Sequence, residues 1–549
     1  VWAISADGGV PMVPGPLLRG EESTRFVVTV ENPRRDSALF VTGLGTRPGG
    51  GELVRVAPGS DTTISFVAGA AGSYFYRLAW SDPHREITPA DESLLAGALI
   101  IDAPGAPVDD QVFLISSWYV PIDSALGPPY VTRDWMVING RSFPYNPEIT
   151  LQQGDSVRWR WINASHDAHP IHLHGDYFRL TELGSMTENQ AHWPQEVVTQ
   201  LLKPGETFTA VYRPSEPGNW VIHCHFAFHT SHFLSTERVA VPDDPGAPDV
   251  VDHSVHGMKG MLIPIRVAPR EGGSRREVHD DDARRMRIVV QGRPGIYRDV
   301  VEGMAFIPVA GSDPAPDSIP IPSPTLVLRR GEPVAITVVN RMRSPTAVHW
   351  HGIELPSYSD GVPGLSGLGD RIAQVIAPGD SFTAEFTPPR AGTFIYHAHS
   401  NESHQINGGL YGALLVVDPG TYRPESERLV IVGGDGFFAP GVRVNGSLAP
   451  EPIALPHDVP IRFRLIDIQA DFRVFMQLQR SDGTPVPWTR LAKDGAELPI
   501  SRQVSDTLPW ISGPGETADY EIRLPRGSYT LMVRQVFDEW MMPVEVTVR

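Results

Sequence analysis

Trp220-Val221-Ile222-His223-Cys224-His225-Phe226-Ala227-Phe228-His229 contains the only cysteine of the 549-residue chain. Taken as a strand, the segment sends neighbouring side chains to opposite faces, so Cys224 points one way while His223 and His225 point the other. One short segment can therefore ligate two different metal centres. Thiolate and imidazole are soft or borderline donors that suit copper, and a thiolate on one ion whose neighbours hold others gives electrons a covalent path between them.

Outward from this stretch, short alternating runs recur. Arg25-Phe26-Val27-Val28-Thr29-Val30, Thr62-Thr63-Ile64-Ser65-Phe66, Ser73-Tyr74-Phe75-Tyr76 and Ala98-Leu99-Ile100-Ile101 read as strands separated by turns such as Ala57-Pro58-Gly59. The same grammar returns in Val334-Ala335-Ile336-Thr337-Val338-Val339-Asn340, Ala377-Pro378-Gly379 and Thr393-Phe394-Ile395-Tyr396. A second repeat type is marked by Asn139-Gly140, Pro204-Gly205-Glu206-Thr207 and Gly218-Asn219-Trp220-Val221-Ile222. It is answered by Asn445-Gly446, Pro514-Gly515-Glu516-Thr517 and Gly527-Ser528-Tyr529-Thr530-Leu531. The expectation is an all-β chain of four tandem β-sandwich domains: 1–105, 106–268, 285–420 and 421–549, with a charged linker at 269–284.

Histidines separate the copies. His172-Leu173-His174 and His223-Cys224-His225 lie in the second domain, and His349-Trp350-His351 and His397-Ala398-His399 in the third; the counterpart of His223-Cys224-His225 in the last domain is Met532-Val533-Arg534. On strands, residues i and i+2 share a face roughly 6–7 Å apart, so four such pairs can enclose a small metal cluster between the two middle domains. His169, Cys224 and His229 remain, and two imidazoles with one thiolate describe a blue-copper electron-transfer site.

Composition removes other classes. A formal net charge of -18 argues against nucleic-acid binding, which needs a basic surface. No apolar run is long enough for a membrane span. A single cysteine leaves no internal disulfide. The chain starts at Val1-Trp2-Ala3 without a methionine, so a processed N-terminus is expected, with the signal peptide absent from this chain and a secreted or periplasmic bacterial location.

At His349-Trp350-His351-Gly352, His397-Ala398-His399, His169-Pro170-Ile171-His172-Leu173-His174-Gly175 and His223 to His229, the chain resembles the multicopper oxidases, the family of laccases, ascorbate oxidase and ceruloplasmin. The resemblance implies that the four tandem β-sandwiches are cupredoxin-like Greek-key domains and that the chain holds four copper ions. His169, Cys224 and His229 would bind type 1 copper, His172 and His349 type 2 copper, and His174, His223, His225, His351, His397 and His399 the type 3 pair. The motif order is permuted relative to three-domain laccases, as in a tandem fusion of two-domain multicopper oxidases that keeps only its central site. The usual axial spacing lands on Leu234; Met258, in Gly257-Met258-Lys259-Gly260-Met261, is the preferred axial ligand, with Met261 as the other option. Asp360 matches the family's acid near type 2 copper, and a turn aspartate before glycine is its plainer reading. Where some relatives carry a second acid this chain has Thr230 and Ala227, so either Glu402 or another group substitutes or that relay is absent.

The implied activity is oxidation of a small one-electron donor, with electrons passing through Cys224 to His223 and His225 and four of them reducing O2 to two waters. A laccase-like phenolic or aromatic donor is expected. A metal oxidase acting on Cu(I), Fe(II) or Mn(II) is the alternative, and a copper carrier or nitrite reductase the remote one. The oligomeric state is left open.

Overall fold

Exposed and partly buried residues alternate one by one along Arg25–Glu31, and Met541–Val548 alternates in the same way between exposed and buried. That period-2 pattern gives each strand one wet and one dry face, and two such sheets must stack to cover their dry faces. The computed structural model describes residues 3–80, 94–121, 132–230, 260–276, 283–297, 302–420, 422–436, 441–536 and 540–549.

The strands form four pairs of sheets in chain order. Gly15–Glu21, Leu39–Thr42, Val54–Val56, Gly72–Ala79 and Ala96–Asp102 make one sheet of the first pair, and Arg25–Glu31 with Asp61–Val67 the other. The strands expected from sequence fall within these elements. In each pair of sheets an early strand runs parallel to a later one: Gly15–Glu21 beside Ala96–Asp102, Asp110–Pro121 beside Val157–Asn163, Ser323–Arg329 beside Tyr411–Val417, and Glu427–Gly434 beside Ile461–Asp467. Such pairings require crossovers between sheets, as in a Greek key.

The first and last sandwiches have cores of their own. The middle two share one: Trp159, Ile171, Trp220, Cys224 and Ile263 belong to the same apolar cluster as Ile288, Val338, Trp350, Phe382 and Tyr396. Trp159, Trp161, Trp220 and Trp350 are fully buried there; truncating any of them to alanine is expected to cost about 3–5 kcal/mol. A short strand from the third sandwich, Gly367–Leu368, also adds to the second by pairing Gly367 with Asn219. Gly218, at φ 143°, has to be bare here, because a Cβ would stand 2.3 Å from that of Ser357. Of the segment expected as a linker, Arg276 lies against the second sandwich through Glu216 and Ser215, and the next strand begins at Arg284.

The two ligand-free sandwiches sit differently. The first packs Phe75, Ala98 and Ile100 on Leu114, Ile162 and Ala164. The last packs Ile431, Ile466, Ile468 and Ala470 on Ile395 and Tyr411 of the third and on Ala227 of the second. It therefore reaches the junction of the two histidine-bearing sandwiches.

Candidate metal centres

Strand register brings the histidines together. His172 pairs with His223 on adjacent strands, as Ile171 pairs with Cys224, and His349 pairs with His397. Directly opposed residues hold their Cβ atoms about 4.5–5.5 Å apart, within reach of one ion. His174, His225 and His399 lie one residue beyond the ends of their strands rather than on them. The strands stop where two sandwiches meet, and the last histidine of each of these motifs bends into the gap.

The eight imidazoles of the four pairs are buried and converge between the second and third sandwiches. Five of them are tied back to the protein through Nδ1. His172 Nδ1 donates to the Val198 carbonyl at 3.0 Å, His223 Nδ1 to the Cys224 carbonyl at 2.8 Å and His397 Nδ1 to the Ala398 carbonyl at 2.8 Å. His349 Nδ1 donates to the Asp360 carbonyl at 3.2 Å, and His174 Nδ1 to the Asp360 carboxylate at 2.9 Å. A ring with its proton on Nδ1 presents a lone pair at Nε2. Those lone pairs face one another: Nε2 of His172 and His349 are 3.4 Å apart, and Nε2 of His174 and His223 are 3.0 Å apart. Nε2 of His225 and of His397 are buried without any hydrogen-bond partner. Converging, desolvated lone pairs repel unless a cation lies among them, so this donor set fits metal ions.

Burial, reinforced by neighbouring imidazoles, pushes the basicity of His172, His174, His225 and His351 far down, and that of His397 to about 3. They stay neutral at physiological pH, the form that binds metal.

A smaller centre lies on the other face of the same strand. Cys224 Sγ is 3.3 Å from His229 Nδ1 and 3.7 Å from His169 Nδ1, and those two nitrogens are 3.2 Å apart. His169 Nε2 is held by Ser165 Oγ at 2.7 Å, and His229 Nε2 stands 3.7 Å from the Asp167 carboxylate, so Nδ1 of each ring is the free donor. Burial pushes the Cys224 thiol up, and a thiol in such a place ionises only with a bound cation. His229 is carried by the short helix Ala227–Thr230, which returns the chain to its own strand. Thr230 Oγ1 bonds within that helix to the Ala227 carbonyl.

Met258 and Leu234 lie outside the described residues. Met261 is buried beside the centre; its carbonyl accepts the Cys224 N–H at 3.0 Å and its N–H donates to the His229 carbonyl at 3.1 Å. Asp360 ends the turn Ser357–Asp360, followed by left-handed Gly361. It is more than a turn former, since it is wholly buried, bonds His174, and accepts Ser366 Oγ at 2.8 Å. Glu402, also buried and pushed up to about 8 by loss of solvent, places Oε1 3.1 Å from His399 Nε2.

Several contacts have no motif to announce them. Thr199 Oγ1 lies 3.1 Å from His172 Nδ1 and 3.4 Å from His351 Nε2. Asp494, from the last sandwich, accepts the N–H groups of Val198 and Thr199, each at 3.1 Å. The only signal for Thr199 is its register opposite His172.

Two family models, both described as multicopper oxidase, match residues 118–244 and 320–421. Copper resistance protein A of Escherichia coli is 33% identical over 142 residues, 25% of this chain and 22% of that protein. Multicopper oxidase VdtB of Byssochlamys spectabilis is 43% identical over 106 residues, 19% of this chain and 14% of that protein. The matched stretches thus span less than a quarter of these curated relatives. A crystal structure of a multicopper oxidase aligns with a TM-score of 0.39 and 23% identity, covering 50% of this chain and 93% of its own.

Proposed function

Because this chain belongs to the multicopper oxidase family, we propose that it oxidises a small phenolic or aromatic donor one electron at a time and reduces O2 to water. The observation that carries the reading is the set of facing Nε2 lone pairs joined, through His223-Cys224-His225, to the centre that Cys224 forms with His169 and His229. Copper in these centres, four ions in all, would supply single-electron acceptance at Cys224 and four-electron delivery to O2 at the histidines.

The chain's own residues do the rest. His169, Cys224 and His229 would hold type 1 copper, His172 and His349 type 2, and His174, His223, His225, His351, His397 and His399 the type 3 pair. Cys224 shortens the route between centres, since His223 is joined to it both by the peptide bond and by the Nδ1 hydrogen bond to its carbonyl. Asp360 fixes the His174 and His349 rings. Glu402 keeps its proton at neutral pH, beside His399, where O2 reduction consumes protons. Burial of all eight imidazoles keeps bulk water from the reduced oxygen.

A second reading has its own support. The Asp167 carboxylate, a third exposed, stands beside His229, where a cationic donor such as Cu(I), Fe(II) or Mn(II) could dock. Among the described residues no helix is long and apolar enough to cross a membrane; a secreted or periplasmic location is part of the proposal. The deciding experiment measures oxygen uptake by the copper-loaded protein with phenols and with each metal ion. No uptake with any donor at full copper loading sinks the oxidase reading.

A further inference from the structure

The last sandwich carries no metal-ligating motif, yet one of its turns lies against the eight-histidine pocket. Gly515, in Pro514-Gly515-Glu516-Thr517, is so close that a Cβ there would stand 2.7 Å from His225 Cδ2 and 2.8 Å from His351 Nε2. The next shell of the turn is fixed from three sides. Gly515 N–H donates to the Asp467 carbonyl at 2.8 Å, and Gly513 N–H to Glu516 Oε2 at 2.9 Å; the other Glu516 oxygen takes Lys493 Nζ at 2.5 Å. Asp494 accepts Thr517 N–H at 3.0 Å with one oxygen and the Val198 and Thr199 N–H groups with the other. Thr517 Oγ1 donates to the Thr393 carbonyl at 2.9 Å, on the strand that ends at His397 and Ala398. The turn is thus stapled to the second sandwich through Asp494 and to the third through Thr517.

We propose that this turn is the fixed wall of the pocket and that Gly515 is a positioning residue, whose missing side chain leaves His225 and His351 the room to converge on type 3 copper. The inference rests on the copper assignment above. Both rings are too confined to yield: their centroids are 5.0 Å apart, and His351 also stacks on His172 at 3.8 Å. A methyl group at residue 515 has to push one ring out of register. The wall also explains why a domain without ligands remains beside the site: it supplies shape where its sister supplies donors.

The test compares Gly515→Ala with Gly483→Ala in the same sandwich. Gly483 has φ 83° against 84° for Gly515, and a Cβ there meets nothing within 4 Å. Backbone strain is therefore matched and only the contact with the rings differs. Each copper-loaded protein is measured for copper per chain and for its type 1 and type 3 absorption and magnetic signatures. Copper-free forms are compared by thermal unfolding. The expected result is that Gly515→Ala keeps the blue type 1 band and loses the type 3 signature with the matching copper, while Gly483→Ala keeps both. Asp494→Asn is the second variant. It adds no bulk, but replaces one carboxylate oxygen by an amide N–H2 that must face either the Thr517 N–H or the Val198 and Thr199 N–H groups, so one arm of the staple opens; loss of type 3 with type 1 retained is again expected, and this variant decides if Gly515→Ala does not fold. Unchanged type 3 copper in the folded variants, or equal loss in Gly515→Ala and Gly483→Ala, overturns the inference and leaves the copper assignment standing. Wild-type protein that takes up no type 3 copper overturns both.

Discussion

His174 Nδ1 and a carboxylate oxygen of Asp360 lie 2.9 Å apart across the junction of two sandwiches, 186 positions apart in the chain. The contact fixes the tautomer of His174 and leaves Nε2 to face His223. It also ties the turn Ser357–Asp360 to the strand that ends beside His174. Two of its consequences are separable by experiment.

Replacing Asp360 with alanine leaves a buried imidazole N–H without an acceptor, which costs about 1–3 kcal/mol of stability. Loss of such a ring-orienting partner typically lowers metal affinity or activity by about 10–100-fold. Oxygen turnover should fall by that factor. Under anaerobic conditions, bleaching of the blue band by a donor should keep its rate, because Cys224, His169 and His229 do not touch Asp360. A slowed bleaching step would show that Asp360 acts elsewhere.

Cys224→Ser tests the division of labour between the centres. The hydroxyl is a poor copper ligand compared with a thiolate, so the blue band should vanish and donor-driven oxygen uptake should drop to background. The type 3 signature should persist, because the eight imidazoles are untouched and the Cys224 carbonyl that holds His223 Nδ1 belongs to the backbone, which serine keeps. Loss of both signatures together would mean that the two centres assemble only as a unit.

The histidine pairs were legible because strand geometry is regular: residues two apart share a face, and register then sets His172 opposite His223 and His349 opposite His397. Glu402 and Asp360 could be named as acids from their places near those motifs. Thr199, Asp494 and Gly515 could not. A threonine opposite a histidine, an aspartate before a glycine and a Pro-Gly turn are ordinary in any β-sandwich, and each gains its role from a chain segment far away in sequence. Comparing repeats made the two end domains look equally empty; the packing of Ile466, Ile468 and Ala470 near Ala227 distinguishes them.

Acid and base limits of the copper-free protein follow from opposite signs. Buried His172, His174, His225 and His351 are held well below the usual value, and His397 at about 3, so below about pH 6.5 the unfolded chain binds protons that the folded one refuses. Stability should fall steadily from pH 6.5 towards 3. Glu402 runs the other way: folded, it keeps its proton up to about 8, whereas unfolded it ionises near 4.5, so its contribution is lost as pH rises through that window. Denaturant titrations from pH 3 to 9 should show a dome. Glu402→Gln should flatten its alkaline limb by up to about 5 kcal/mol and leave the acid limb alone. An alkaline limb unchanged in the variant would assign that slope to other buried acids such as Asp467 and Asp494.

Under the proposed function, donor choice falls to the rim of the Cys224 centre, where Asp167 is a partly exposed acid 3.7 Å from His229 Nε2. A cation docking there gains from the carboxylate, and a neutral phenol does not. A partly exposed charge contributes about 1 kcal/mol to such an encounter, or roughly five-fold in affinity. Asp167→Asn should therefore raise KM for Fe(II), Cu(I) or Mn(II) about five-fold, with the gap closing as salt is added. For an uncharged phenol KM should stay as in the wild type. A five-fold effect on the metal ions, together with wild-type turnover faster on them than on phenols, would favour the metal-oxidase reading. Equal effects on both donor classes would mean that Asp167 serves to orient His229 and does not meet the donor.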